Sequence, residues 1–140
     1  MLNLSTTQLW VHDQDEALAF WTGKVGLEVK EDATVAELGN FRWLTVGPQG
    51  QDGCAIVLMA IPGLPVMDEA TRGQVKDLTS KGFTSALFFA TDDARATYDT
   101  LVANGVEVID KPTEQPYGID FGFRDPSGNT VRVVQRIPIG

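Results

Sequence analysis

Residues 11–29 and 90–108 read as two copies of one unit, and that internal repeat limits the architecture before any single residue is considered. Val11-His12-Asp13-Gln14-Asp15-Glu16-Ala17 opens a helical segment that runs on to Gly26-Leu27-Glu28-Val29. Ala90-Thr91-Asp92-Asp93-Ala94-Arg95-Ala96 opens another, which runs on to Gly105-Val106-Glu107-Val108. Thirteen positions separate Asp13 from Gly26, and thirteen separate Asp92 from Gly105, so on this reading the copies are in register. With 140 residues and 43% hydrophobic content there is room for one domain with a real core, and none for a second large one.

Each copy can be read residue by residue. Asp13 caps a helix N-terminus, Glu16 completes a capping box, and Ala17, Leu18, Phe20 and Trp21 supply an apolar stripe. Asp92 is the expected cap of the second helix, with Tyr98, Leu101 and Val102 as its stripe. Gly26 and Gly105 let the chain turn out of the helices into short strands. Strands are expected before the helices at residues 4–11 and 84–90, and after them at 40–46, 54–60, 119–124 and 130–136. Asp125-Pro126-Ser127-Gly128-Asn129 predicts a tight hairpin turn between the last two, and Gly39-Asn40 is expected to make the corresponding turn in the first half. Residues 61–83 have no counterpart in the repeat; they carry Pro62, Gly63 and Pro65, then a polar helical stretch from Asp68 to Ser80 that Gly73 weakens. We read them as the connection between a first module, about residues 3–60, and a second, about 84–136, and as a tether in preference to a lid.

Lys and Arg total 11 against 19 for Asp and Glu, and the resulting formal charge of -8 repels nucleic acid and anionic lipid while favouring a neutral or cationic ligand. Cys54 is the sole cysteine, so no intrachain disulfide can form, and a reducing, cytoplasmic setting is expected. It heads the apolar run Cys54-Ala55-Ile56-Val57-Leu58-Met59 with no His or Lys nearby in sequence, as a buried small side chain would and a reactive thiol would not. Residues 1–11 have neither a basic leader nor a long apolar core, so they read as a strand and not a signal peptide. No run approaches the ~18 apolar residues that span a bilayer.

The order of elements, with residues 11–21, Gly26-Leu27-Glu28-Val29 and Asp125-Pro126-Ser127-Gly128-Asn129, resembles the glyoxalase, bleomycin-resistance and extradiol-dioxygenase superfamily, also called vicinal oxygen chelate proteins. The resemblance covers about residues 3–136 and implies an α+β fold in which two tandem βαβββ modules form a cleft-shaped half-barrel, in a chain that works as a homodimer. It does not select a function, because that scaffold hosts isomerases, lyases, dioxygenases, epimerases, drug-modifying enzymes and non-enzymatic drug binders. Metal-dependent members of the superfamily resemble one another in carrying His, Gln or Glu ligands on the first, fourth, fifth and eighth strands. The matching positions here are Thr6, Val57, Ala86 (Ser85 if the register slips by one) and Arg132. Val and Ala have no donor atoms, and Arg132 brings a fixed positive charge. His12, the one histidine, neighbours Asp13, Asp15 and Glu16, but helix capping and the helix dipole explain those acids. No cofactor is expected, and a divalent metal is the alternative.

Strand alternation sets Thr6, Gln8 and Trp10 on one face of the first strand and Leu9 and Val11 on the other. Extended to the other strands, it turns Ala55, Val57, Met59, Ala86, Phe88, Ala90, Arg132 and Val134 toward the cleft. With Trp43 and Phe121 added, the candidate ligand-binding residues are Gln8, Trp10, Trp43, Val57, Met59, Phe88, Phe121 and Arg132. That is an apolar and aromatic surface with a few polar handles, suited to a planar organic molecule, although strand aromatics more often belong to the core. Trp10 is the favoured stacking residue; Arg132 either anchors a carboxylate, phenolate or carbonyl, or neutralises an internal acid. No Ser-His-Asp order, Gly-rich phosphate loop or pair of catalytic carboxylates stands out, so no catalytic residue is identified. Two readings remain. One is a binder that sequesters an aromatic or cationic drug, similar to the bleomycin-resistance branch. The other is an enzyme: a glyoxalase-like lyase or dioxygenase with atypical or absent metal ligands, or a metal-free group acting through Gln8, Arg132 or Tyr117.

Overall fold

The computed structural model describes residues 1–137. The chain runs β1 (Thr6–Val11), α1 (Gln14–Ala19), β2 (Glu28–Val35), β3 (Phe41–Gly47), β4 (Ala55–Ala60), α2 (Glu69–Ser80), β5 (Ala86–Ala90), α3 (Ala94–Ala103), β6 (Val108–Gln115), β7 (Gly118–Arg124) and β8 (Thr130–Arg136). Two four-stranded sheets result, ordered β1-β4-β3-β2 and β5-β8-β7-β6. In each, the first strand pairs in parallel with the last, and the other neighbours are antiparallel. The repeat in the sequence is thus a repeat of topology. The fold is α+β, and its two mixed sheets stay open, as in a cleft-shaped half-barrel.

The helices begin where a carboxylate meets free backbone N–H groups. Asp13 Oδ1 accepts from Glu16 N at 2.9 Å. In the second copy the cap is Asp93 and not Asp92: Asp93 Oδ1 accepts from Ala96 N at 3.0 Å. Measured from the true caps, the copies therefore differ by one residue, since the step from Asp93 to Gly105 is twelve positions where that from Asp13 to Gly26 is thirteen. A wide π-helical turn, Phe20–Lys24, follows α1 and absorbs the extra residue. It leaves both Phe20 and Trp21 buried.

Those two rings join the modules. The Trp21 ring centroid lies 6.1 Å from Phe89 and 6.0 Å from Phe123, and Phe20 lies 6.2 Å from Phe123. Around them one continuous core collects Leu9, Val11, Leu44 and Leu58 from the first sheet with Phe121, Phe123, Val131 and Val133 from the second. Polar ties reinforce the junction: Asn129 Nδ2 donates to the Trp10 carbonyl at 2.8 Å, and His12 N donates to Ser127 Oγ at 3.0 Å.

Several boundaries differ from expectation. Leu4 lies outside β1 and is largely exposed, and β5 starts only at Ala86. Gly39 and Asn40 do turn the chain, both at positive φ, but between β2 and β3. The counterpart of the 125–129 turn is therefore the loop between β3 and β4, residues 48–54. Asp68 caps α2 by accepting from Thr71 N at 2.7 Å. The far end of α2 rests on the 125–129 turn so closely that a Cβ at Gly128 would stand 2.7 Å from the Thr79 carbonyl oxygen. Among the described residues no helix is long and apolar enough to cross a membrane.

Candidate functional site

Each sheet has one face in the shared core and one turned away from it. On the outward face of the first sheet, Gln8 pairs across strands with Val57, Trp10 with Met59, and Thr45 with Val57. Trp43, two residues from Thr45, shares that face by the period of the strand. On the second sheet Phe88 pairs with Arg132, and Ala90 with Val134. Seven of the eight candidate residues thus lie on outward faces. Phe121 does not: it pairs with Val133, is fully buried, and meets Tyr98 edge-on at 5.4 Å, so it is a core residue.

Within one chain the two outward faces open into separate hollows. The larger, about 750 Å³, is lined by Gln8, Trp10, Phe41 and Met59 and walled by residues 62–66, so the start of the connection is part of a cavity. Its polar groups are amides, Gln8, Gln14 and Asn40, together with Arg42. Gln14 Nε2 donates to the Leu58 carbonyl at 2.9 Å, which fixes the head of that side chain. The Arg42 charge is already matched, with Asp15 at 2.7 Å and Asp32 at 2.9 Å. Hydrogen bonds from Arg42 in turn hold the Asp32 carboxyl below its usual range.

The second hollow, about 400 Å³, is lined by Phe88, Tyr117, Asp120, Arg132 and Val134. Trp43 borders a third of about 320 Å³ with Thr6 and Cys54, while Val57 is buried in the sheet between Gln8 and Thr45. Of the two roles expected for Arg132, the geometry shows charge neutralisation, of the buried Asp120 and of the exposed Asp110. Its Nε and Nη2 donate to Asp120 at 3.2 and 2.9 Å, and its Nη1 and Nη2 donate to Asp110 at 3.1 and 3.2 Å. Burial raises the Tyr117 hydroxyl pKa above its ordinary value, and the neighbouring Asp120 charge adds to the effect.

A divalent metal does not fit the positions where the family resemblance would seat one. Thr6, Val57, Ala86 and Arg132 do occupy outward faces of β1, β4, β5 and β8. Two of them lack donor atoms, and Arg132 is held between two carboxylates. Among the described residues no group of three or more His, Cys, Asp or Glu side chains is placed to hold an ion. His12 is engaged elsewhere, its Nε2 lying 2.9 Å from Ser80 Oγ.

Asp110, Asp120, Gln14 and the 62–66 wall were not legible as site residues from composition or motif. Part of the signal was present. Counting strand partners outward from the 125–129 turn sets Gly122 opposite Arg132 and leaves Asp120 two residues away on the same face. The same count pairs Phe121 with the core residue Val133.

Comparison with known proteins places a chain of this fold, with these hollows, in a family. The profile of the Glyoxalase/Bleomycin resistance protein/Dioxygenase superfamily matches residues 3–133, and the chain belongs to that family. It is similar to YurT of Bacillus subtilis (strain 168), 33% identical over 136 residues that cover 96% of this chain and 100% of that protein. Among solved structures it is similar to UcmS2, at 38% identity and a TM-score of 0.88, over 96% of this chain and 98% of that one. It is also similar to TnmS3, an antibiotic binding protein from Streptomyces sp. CB03234, at 28% identity and a TM-score of 0.73, over 98% of each chain.

Proposed function

We propose that this protein binds a flat aromatic small molecule without a metal and sequesters it unchanged. The observation that carries this reading is the hollow of about 750 Å³ in which Trp10, Phe41 and Met59 surround a few amide groups. Such a hollow falls within the usual size range of ligand pockets, and its mixture of aromatic walls and sparse polar groups is the usual one for organic ligands. The similarity to TnmS3, which binds an antibiotic, supports a drug as ligand. The reading extends to a cytoplasmic homodimer. Sedimentation should then give twice the chain mass.

The test is thermal unfolding against a panel of polycyclic aromatic antibiotics, with metal content measured on the same preparation. A true ligand at 100 times its dissociation constant adds about 2.7 kcal/mol, which raises Tm by on the order of 10 °C in a domain of this size. Trp10→Ala should weaken binding at least about 10-fold by removing the stacking surface. A bound stoichiometric transition metal would overturn the reading in favour of a lyase or dioxygenase with atypical ligands, and no shift across the panel would overturn sequestration of an aromatic drug.

A further inference from the structure

Arg132 is held in a way that determines which part of it a ligand can meet. Gly122, its partner across β7 and β8, lies directly against the guanidinium: a Cβ there would overlap Nη1 and stand 3.1 Å from Cζ. Asp120 grips one edge of the group through Nε and Nη2, and Asp110 grips another through Nη1 and Nη2. Asp110 is itself fixed, since its Oδ1 accepts from Gly122 N at 2.7 Å. Four of the five guanidinium N–H bonds are therefore committed. The single N–H left on Nη1 cannot make the paired contact by which arginine grips a carboxylate or phosphate.

With Gly122 on one side of the guanidinium and carboxylates along two edges, Arg132 keeps 24% of its side chain exposed and lines the hollow. Phe88, directly across from Arg132 on β5, and Tyr117 line the same space. Of the charged groups lining it, Asp120 is paired with Arg132, whose remaining edge is matched by Asp110 from outside the lining, and Arg136 stands at the border. Building on the small-molecule function proposed for this chain, we propose that Arg132 serves as a stacking shelf, on which an uncharged polycyclic aromatic lies flat with Phe88 beside it. It does not anchor an anion. A guanidinium is planar and weakly hydrated, so it stacks on aromatic faces, and two carboxylates hold this one in a fixed plane. Gly122 is the specificity-determining residue beneath it, because any side chain there would lift the shelf.

Three pyrene probes separate the alternatives by fluorescence titration: neutral 1-pyrenemethanol, anionic 1-pyrenebutyrate and cationic 1-pyrenemethylamine. The wild type should bind 1-pyrenemethanol tightest. Gly122→Ala and Arg132→Lys should each weaken that binding by about 10-fold, the second because it keeps the charge and loses the plane. Circular dichroism melting of both variants accompanies the titrations, and Arg132→Lys carries the test if Gly122→Ala does not fold. Preference for 1-pyrenebutyrate, or unchanged 1-pyrenemethanol binding in Arg132→Lys, overturns the shelf. If 1-pyrenemethanol binding depends on Trp10 and not on Arg132, the shelf falls and the sequestration reading stands. If no probe binds and the antibiotic panel gives no thermal shift, both fall.

Discussion

Replacing Trp21 by alanine is expected to lower the free energy of unfolding by about 3–5 kcal/mol, a large share of the 5–15 kcal/mol typical of a domain. The indole is fully buried, with Phe20 edge-on at 5.3 Å and Phe89 and Phe123 of the other module at 6.1 and 6.0 Å. Truncation would remove apolar contacts from both modules at once and leave a cavity between two sheets that cannot easily collapse onto a turn. Urea unfolding, followed by circular dichroism and by the fluorescence of Trp10 and Trp43, checks this. The two probes should report one shared transition at a lower midpoint, because the modules share their core. Separate transitions, or a loss below about 1 kcal/mol, would mean that Trp21 does not couple the modules.

The cavity expected there also shows why the sequence was legible in some respects and not in others. Strand alternation is a local rule of period two, so it placed Gln8, Trp10, Met59, Phe88 and Arg132 on the faces they occupy. It says nothing of where those faces point. That depends on packing through Trp21, Phe89 and Phe123, with Trp21 held in the π-helical turn. The turn itself was hidden because Asp92 and Asp93 are equally good caps by composition, and choosing Asp92 cancelled the one-residue difference. Phe121 entered the candidate set for being aromatic, although the hairpin count places it in the core. Asp110 could not be found by counting at all, because irregular pairing between β6 and β7 breaks the register on either side of it.

Asp125→Ala should cost about 3 kcal/mol or more, for a different reason, the loss of acceptors. The Asp125 carboxylate is buried and accepts from Ser127 N at 3.0 Å, Asn129 N at 2.9 Å and Asn129 Nδ2 at 2.9 Å. Alanine would leave these donors without a partner in a place that water does not reach, and each orphan costs about 1–3 kcal/mol. Burial also raises the carboxyl pKa above its ordinary 3.8, against the pull of those donors. The folded chain then holds the proton more tightly than the unfolded one, so this group's contribution falls as pH rises from 3.8 toward the raised value, a decline the variant should lack. The effect should also reach the ligand hollow. Asn129, positioned by Asp125, donates to the backbone carbonyl of Trp10, whose side chain lines the larger cavity. Loss of the carboxylate should therefore weaken aromatic ligand binding along with stability, whereas a purely local turn defect would lower the urea midpoint and leave the affinity of the folded protein unchanged.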